Sequence, residues 1–151
     1  MRPILLAILL GGVVAGTLDI GAACLASGKD PVFILHVIAM GLIGKQASFA
    51  GGAQTAALGA VLQELMSILI GAIFVLVSLR LPMLRRAWVA AGLAYGAAVF
   101  FVMNYVVVPL SAVGHAPHFA WPWFLKNMAA MLVFGLIIAF FARQQLGAES
   151  H

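Results

Sequence analysis

The chain has 151 residues, of which 65% are hydrophobic and 8% are charged, and its mean hydropathy is +1.16. Soluble domains carry about 25% charged residues, so this composition excludes an ordinary water-soluble fold. The formal net charge of +4 comes from basic residues at the ends of apolar segments, a pattern typical of membrane spans and not of a nucleic-acid-binding surface. Cys24 is the only cysteine, which excludes an internal disulfide and a cysteine-based zinc site.

The N-terminal segment begins Met-Arg-Pro and continues as a long apolar run. This start is similar to a signal peptide, and residues 21–24 (Gly-Ala-Ala-Cys) faintly resemble a lipoprotein cleavage site. However, the run extends over about 25 residues, longer than the apolar region of a signal peptide, and it contains Asp19. We therefore expect this segment to be the first membrane span.

Four segments are long enough to cross the hydrocarbon layer, which takes about 20 apolar residues. They cover residues 3–27, 53–79, 87–108 and 122–142. The residues after Arg143 form a short polar tail, which we expect to be disordered. The sequence therefore predicts an all-α, polytopic transmembrane four-helix bundle in a single membrane domain, residues 1–151.

A fifth apolar segment, residues 31–44, is too short to span the bilayer. Asp30 is suited to cap the start of a helix there, and Pro31 to occupy its first position. We expect one additional short helix between the first two spans, on the outer side, lying either in the interface or as a re-entrant element.

The basic residues predict the orientation of the bundle. With four spans, both termini share one side with the loop between spans two and three, and five arginines fall there: Arg2, Arg80, Arg85, Arg86 and Arg143. The other side has three lysines: Lys29, Lys45 and Lys126. This asymmetry favours an orientation with both termini in the cytoplasm. Trp121 and Trp123 would then anchor the outer end of the fourth span.

An aspartate lies within the first span, where an ionisable group is costly and therefore a functional candidate. At about 100° per residue, Asp19 falls on a stripe that is otherwise mostly glycine and alanine. Within it, Gly12 and Gly16 form a small-xxx-small pair that allows a neighbouring helix to approach closely. The stripe predicts that Asp19 faces a helix–helix seam, where it either serves a function or only hydrogen-bonds to the next helix.

The other spans also carry polar side chains within or near the membrane: Gln63, Glu64, Asn104, Lys126 and Asn127. At about 1.5 Å per residue, Asp19 lies roughly 6 Å, Glu64 roughly 3 Å, and Asn104 and Lys126 roughly 9–10 Å outward of the centres of their spans. This layout predicts a polar pocket or network in the outer half, to which Thr17 belongs by position. Lys126 either extends to the outer interface or pairs with Asp19 or Glu64.

Three histidines, His36, His115 and His118, fall on the outer side. They are weak candidates for metal ligands, because a metal site needs three or four convergent groups. No metal and no cofactor is predicted from them. The sequence also lacks a nucleophile signature such as Gly-x-Ser-x-Gly and gives little support for an enzyme.

Four motifs carry a resemblance to a known family. They are residues 12–19 (Gly-Val-Val-Ala-Gly-Thr-Leu-Asp), residues 41–45 (Gly-Leu-Ile-Gly-Lys), the glycines and alanines of residues 51–59, and residues 103–111 (Met-Asn-Tyr-Val-Val-Val-Pro-Leu-Ser). Over nearly its whole length the chain resembles a family of small, functionally uncharacterised bacterial inner-membrane proteins. The resemblance implies a four-span bundle and brings no activity. Related chains often have histidine where this one has Gln63, so no role carries over to that position.

Two classes of function remain open. The first is a non-enzymatic subunit or scaffold of a membrane complex, or a homo-oligomer, whose partners are the lipid bilayer and other membrane chains and not nucleic acid. The second is a small proton-coupled transporter, or a lipid or small-molecule binder, that uses Asp19 or Glu64. An enzyme acting on a lipid or quinone at the outer surface is a third and weaker alternative.

Overall fold

The computed structural model describes residues 1–147, and the whole of this part of the chain is built from helices and short connections. Four helices are long and apolar enough to cross a membrane. They are α1 (Arg2–Ser27), α4 (Ala53–Arg80), α6 with its continuation (Trp88–Leu110) and α8 (Trp121–Gly147). The four-span, all-α prediction is confirmed.

Short helices lie in the first two connections between the spans. α2 (Pro31–Ile43) is the additional helix predicted between the first two spans, and it is followed by α3 (Lys45–Ala50), which was not predicted. α5 (Met83–Arg86) occupies the arginine-rich loop. The disorder predicted for the tail after Arg143 is wrong in its first part, because α8 continues as a helix to Gly147. The rest of that tail, residues 148–151, lies outside the described residues.

The connection from α1 to α2 follows directly from local sequence. Gly28 ends α1 in the left-handed conformation (φ 69°), and its N–H donates to the carbonyl of Cys24. Asp30 then caps α2, since its Oδ1 accepts a hydrogen bond of 2.7 Å from the N–H of Phe33. Pro31 opens the helix, where its missing N–H has no cost.

The spans pack in a row in the order α6, α8, α1 and α4, each in contact with the next. The short helix α2 packs against α4. Glycines make these contacts close. A Cβ at Gly135 of α8 would overlap the carbonyl oxygen of Gly92 in α6. Since lipid supplies no hydrophobic force between helices, such backbone approaches are a main source of their association.

A tyrosine also ties α6 to α4, which lies beyond α8 and α1 in the row. The hydroxyl of Tyr95 donates to the carbonyl of Ile70 at 2.6 Å. Its ring packs on Phe74 with a centroid distance of 5.1 Å. The row of helices is therefore closed into a bundle on one side.

The third span changes its winding near its end. α6 proper covers Trp88–Val102, Met103–Val107 is π-helical, and α7 (Val108–Leu110) completes the span. Pro109 has no N–H to donate, and its ring would crowd the carbonyl four residues earlier in a regular α-helix. The wider π-helical turn, in which the N–H of Val108 bonds to Met103, relieves this conflict.

Both ends of the bundle are basic, but one end carries arginines and the other carries lysines. At one end, hereafter the arginine face (Arg2, Arg80, Arg85, Arg86 and Arg143), Arg143 lies 5.7 Å from the centre of the Trp88 ring. At the other, hereafter the lysine face (Lys29, Lys45 and Lys126), Nζ of Lys126 lies 3.4 Å from the carbonyl oxygen of Ala26. Between them, large apolar side chains such as Leu5, Leu65 and Val133 are exposed on the outside of the bundle. An apolar outer belt of this extent is expected where lipid surrounds a protein.

The close packing of α6 on α8 gives a test of the fold. Gly135→Ala should destabilise the bundle by about 1–3 kcal/mol, because the added methyl group meets backbone that cannot move aside. Gly21→Ala is the matched control, since a Cβ at Gly21 has no atom within 4 Å. Unfolding in mixed micelles measures both variants. Equal stability of the two would contradict this packing.

Candidate functional site

The polar residues of the first two spans meet because α1 and α4 approach closely. A Cβ at Gly12 would lie 2.6 Å from Cα of Ile68, and one at Gly16 would lie 2.6 Å from Oγ of Ser67. The predicted small-xxx-small pair therefore packs against α4. At this distance the side chains next to Gly16 can reach across the seam to α4.

Two side-chain hydrogen bonds cross the seam. Oγ1 of Thr17 donates to Oε1 of Glu64 at 3.1 Å. Nε2 of Gln63 donates to Oδ2 of Asp19 at 3.0 Å and lies 3.3 Å from the carbonyl oxygen of Gly16. Both carboxyl groups thus receive a donor from the opposite helix, as costly polar groups in a membrane require.

One carboxyl oxygen in this network has no partner. Oε2 of Glu64 is buried and accepts no hydrogen bond within the described part of the chain. It points toward α1, 3.2 Å from where a Cβ of Gly16 would lie. An unpaired buried oxygen is costly, so this atom is the least satisfied point of the seam.

A groove runs along the other side of α1, between it and α8. Its volume is about 430 Å³, within the range of small-molecule sites, and it opens to the outside of the bundle. Asp19 lies in its wall and Lys126 also lines it. The remaining lining is apolar and combines alanines with larger side chains: Ala15, Ala22, Ala26, Ala129 and Ala130, with Leu18, Leu25, Val133, Phe134 and Ile137. Asp19 therefore belongs to both the seam with α4 and the groove with α8.

Two predicted members of the polar cluster are used within their own helices. Nδ2 of Asn104 donates to the carbonyl of Phe100, and Nδ2 of Asn127 to that of Trp123, each at 2.9 Å. No described hydrogen bond joins either of them to Asp19 or to its partners. For Asn104 the reason is the packing order, in which α6 lies against α8 and not against α1.

The fourth span contributes its lysine at the end of the groove. Of the two alternatives for Lys126, an extended side chain or a pair with a carboxylate, the structure shows the first, with Nζ at the carbonyl oxygen of Ala26. The ammonium group therefore caps the last turn of α1, where the carbonyl groups lack helical partners. This places a positive charge at the lysine-face end of an otherwise apolar groove.

The three histidines do not form a shared site. Nε2 of His36 lies 2.9 Å from the carbonyl oxygen of Gly52, and the carbonyl of His36 accepts from Oγ of Ser48. His115 and His118 face each other with ring centroids 6.3 Å apart. Across residues 1–147, no group of three or more His, Cys, Asp and Glu side chains is arranged to hold a metal ion.

No protein-family model, curated protein or solved structure matches this chain, so its function is inferred from the geometry of the site.

The feature that sequence reasoning missed is the groove. Its only signal was the spacing of Ala15, Ala22 and Ala26 on α1, opposite the Ala129–Ala130 pair of α8.

The hydrogen bonds across the seam predict a specific pattern of coupling. A double-mutant cycle of Asp19→Ala and Gln63→Ala should give a coupling energy of about 0.6–1.7 kcal/mol, the range for hydrogen bonds between membrane helices. The same cycle with Asn104→Ala in place of the Gln63 substitution should give none, because Asn104 bonds within its own helix. Unfolding free energies in micelles provide the measurement. Coupling of Asp19 to Asn104 equal to that with Gln63 would contradict the assignment.

Proposed function

We propose that this protein is a non-enzymatic binding protein of the membrane that holds a single amphiphile in the groove between α1 and α8. The observation that carries the proposal is the groove itself, which is apolar along its walls and has one carboxylate and one ammonium group along its length. A cavity of about 430 Å³ with few polar groups is typical of a site for a small ligand. Its opening to the side allows entry from the lipid phase.

The charges of the groove indicate the class of ligand. Lys126 lies at the lysine face, at the level of the membrane interface, and is suited to an anionic headgroup. Asp19 lies seven residues before Ala26, about 10 Å further into the membrane. Within residues 1–147, only its Oδ2 accepts a hydrogen bond from another side chain. The ligand that fits is an anionic amphiphile with an apolar chain and a hydroxyl or amine donor along it.

The seam with α4 supports this role because it fixes Asp19. Gln63 holds one carboxyl oxygen of Asp19, so the side chain is positioned before a ligand arrives. Binding then costs less conformational entropy than it would with a free side chain. The hydrogen bond from Thr17 to Glu64 stabilises the same contact between α1 and α4 at a neighbouring position.

The proposal extends to the location of the protein. The arginines at one end support an orientation in which that end and both termini face the cytoplasm. The lysine face and the mouth of the groove then lie on the outer side. The resemblance to small bacterial inner-membrane proteins supports the same location.

Proton-coupled transport is the second candidate, favoured by the buried Oε2 of Glu64 in the seam with α4, which has no hydrogen-bond partner among residues 1–147. An ionisable side chain within a span often marks an ion or proton pathway. The distinguishing measurement is proton release when an amphiphile binds. Release that is abolished by Glu64→Gln favours transport, whereas binding without release favours a carrier or scaffold role.

Filling the groove tests the binding proposal. Ala130→Phe should abolish retention of 10-hydroxystearate and of lysophosphatidylglycerol, because the new ring occupies the space of the chain. The matched control is Ala98→Phe, which adds the same ring at an exposed position of α6 outside the groove. Native mass spectrometry of the purified protein in mild detergent counts the bound molecules.

Lys126→Gln should weaken binding of both anionic probes about tenfold, the effect of losing a charged hydrogen-bond donor, and should leave lysophosphatidylcholine unaffected. Lys29→Gln, on the same face but outside the groove, is the control.

Two outcomes would contradict the binding proposal. Equal losses of bound amphiphile in Ala130→Phe and Ala98→Phe would contradict it. So would loss of a co-purifying membrane chain on Ala130→Phe without any lipid bound, since the groove would then be a helix interface.

A further inference from the structure

A second cavity lies at the opposite end of the bundle, on the arginine face. It has a volume of about 430 Å³ and is lined by Pro82, Arg85, Arg86, Arg143 and Gly147. The loop that contains α5 forms one wall, and the end of α8 forms the other. Three guanidinium groups therefore line one concave surface.

Two of these arginines are held in place by the protein. Nη1 of Arg85 donates to the carbonyl of Leu146 at 3.2 Å, and this fixes the loop to the last turn of α8. Arg143 lies over the face of Trp88, whose ring packs on Phe140 at 5.9 Å. Guanidinium groups held in this way lose little conformational freedom when a ligand binds.

The arginines of the cavity include a hydrogen-bond donor without a partner among the described residues. Nε of Arg85 is buried and has no hydrogen-bond partner among residues 1–147. Arg86 is exposed at the rim of the same cavity. Unpaired guanidinium N–H groups are suited to the oxygens of a phosphate, which they bind in a bidentate geometry.

No described carboxylate neutralises this surface. Of the four acidic residues in the sequence, Asp19, Asp30 and Glu64 all lie in the half of the bundle nearer the lysine face, and Glu149 lies outside the described residues. A concave surface with three positive charges concentrates anions. The cavity also lies at the end of the spans, at the level of the membrane surface, where phosphate groups of anionic lipids are found.

We infer that the arginine-face cavity is a binding site for a phosphate group, held by Arg85, Arg86 and Arg143. The phosphate belongs either to the headgroup of an anionic lipid in the adjoining leaflet or to a soluble phosphate ester. This site is separate from the groove between α1 and α8 and does not depend on it. It gives the protein a phosphate contact at the end opposite Lys126.

Charge-matched variants test the site. In nanodiscs of phosphatidylcholine with and without phosphatidylglycerol, and in detergent with added glycerol 3-phosphate, bound phosphate compounds and thermal unfolding are measured together. The variant Arg86→Gln/Arg143→Gln should weaken binding about tenfold or more and abolish the stabilisation by the phosphate probe. The control Arg2→Gln/Arg80→Gln removes the same charge from the same face outside the cavity and should bind like the parent protein.

Arg86→Gln alone is the second variant, because Arg86 is exposed and its replacement leaves the contacts of Arg85 and Arg143 intact. It should keep the fold and lose part of the affinity. Binding of phosphatidylglycerol but not of glycerol 3-phosphate assigns the site to a lipid, and binding of both assigns it to the phosphate group alone. Equal losses in the cavity and control variants, or no binding of either probe, would overturn the inference. The Ala130→Phe variant should bind normally here, so this inference and the groove proposal fail independently.

Discussion

The contact between α1 and α4 at Gly12 and Gly16 is the constraint on which the described polar chemistry of the spans depends. A Cβ at either position would lie 2.6 Å from an atom of α4, so only glycine permits this separation. Within lipid, helices associate through such close packing and a few hydrogen bonds, because burial of apolar surface gives no advantage. The short separation then allows Gln63 to reach Asp19 and Thr17 to reach Glu64. A larger side chain at Gly16 would separate both pairs.

The groove is a consequence of how the same helix is held on its other side. Near the arginine face α8 meets α1 at Gly11, where a Cβ would lie at an ordinary 3.4 Å from Cβ of Phe141. Toward the lysine face the two helices leave space between Ala15 and Ala26. α8 is also fixed to α6 by the contact of Gly135 with Gly92, so it cannot move over to fill that space. The molecule therefore has a rigid groove near one end and, where α8 ends against α5, an arginine-lined cavity at the other.

The features that the sequence predicted correctly are those that a single segment of the chain determines by itself. The four spans follow from apolar length, the cap of α2 from Asp30 and Pro31, and the close approach of a neighbouring helix to α1 from the spacing of Gly12 and Gly16. Which helix α1 meets on each face is not encoded locally. For this reason Asn104 was grouped with Asp19 by depth alone, whereas the packing order keeps it on α6 and bonded to Phe100. The groove and the cavity are likewise properties of helix pairs, so single-helix periodicity could not reveal them.

The most direct measurement is the distance between the carboxyl carbon of Asp19 and the side-chain nitrogen of Gln63. Solid-state NMR in bilayers measures it in protein labelled with ¹³C at the aspartate carboxyl carbon and ¹⁵N at the glutamine side-chain nitrogen. We predict a detectable dipolar coupling, because Nε2 of Gln63 lies 3.0 Å from Oδ2 of Asp19, which is bonded to the labelled carbon. Asp30, the other aspartate, bonds to backbone of its own helix. The coupling should disappear in Gly16→Leu, because the added side chain forces α1 from α4. Absence of the coupling in the parent protein, or its persistence in Gly16→Leu, would contradict the central role of the glycine contact.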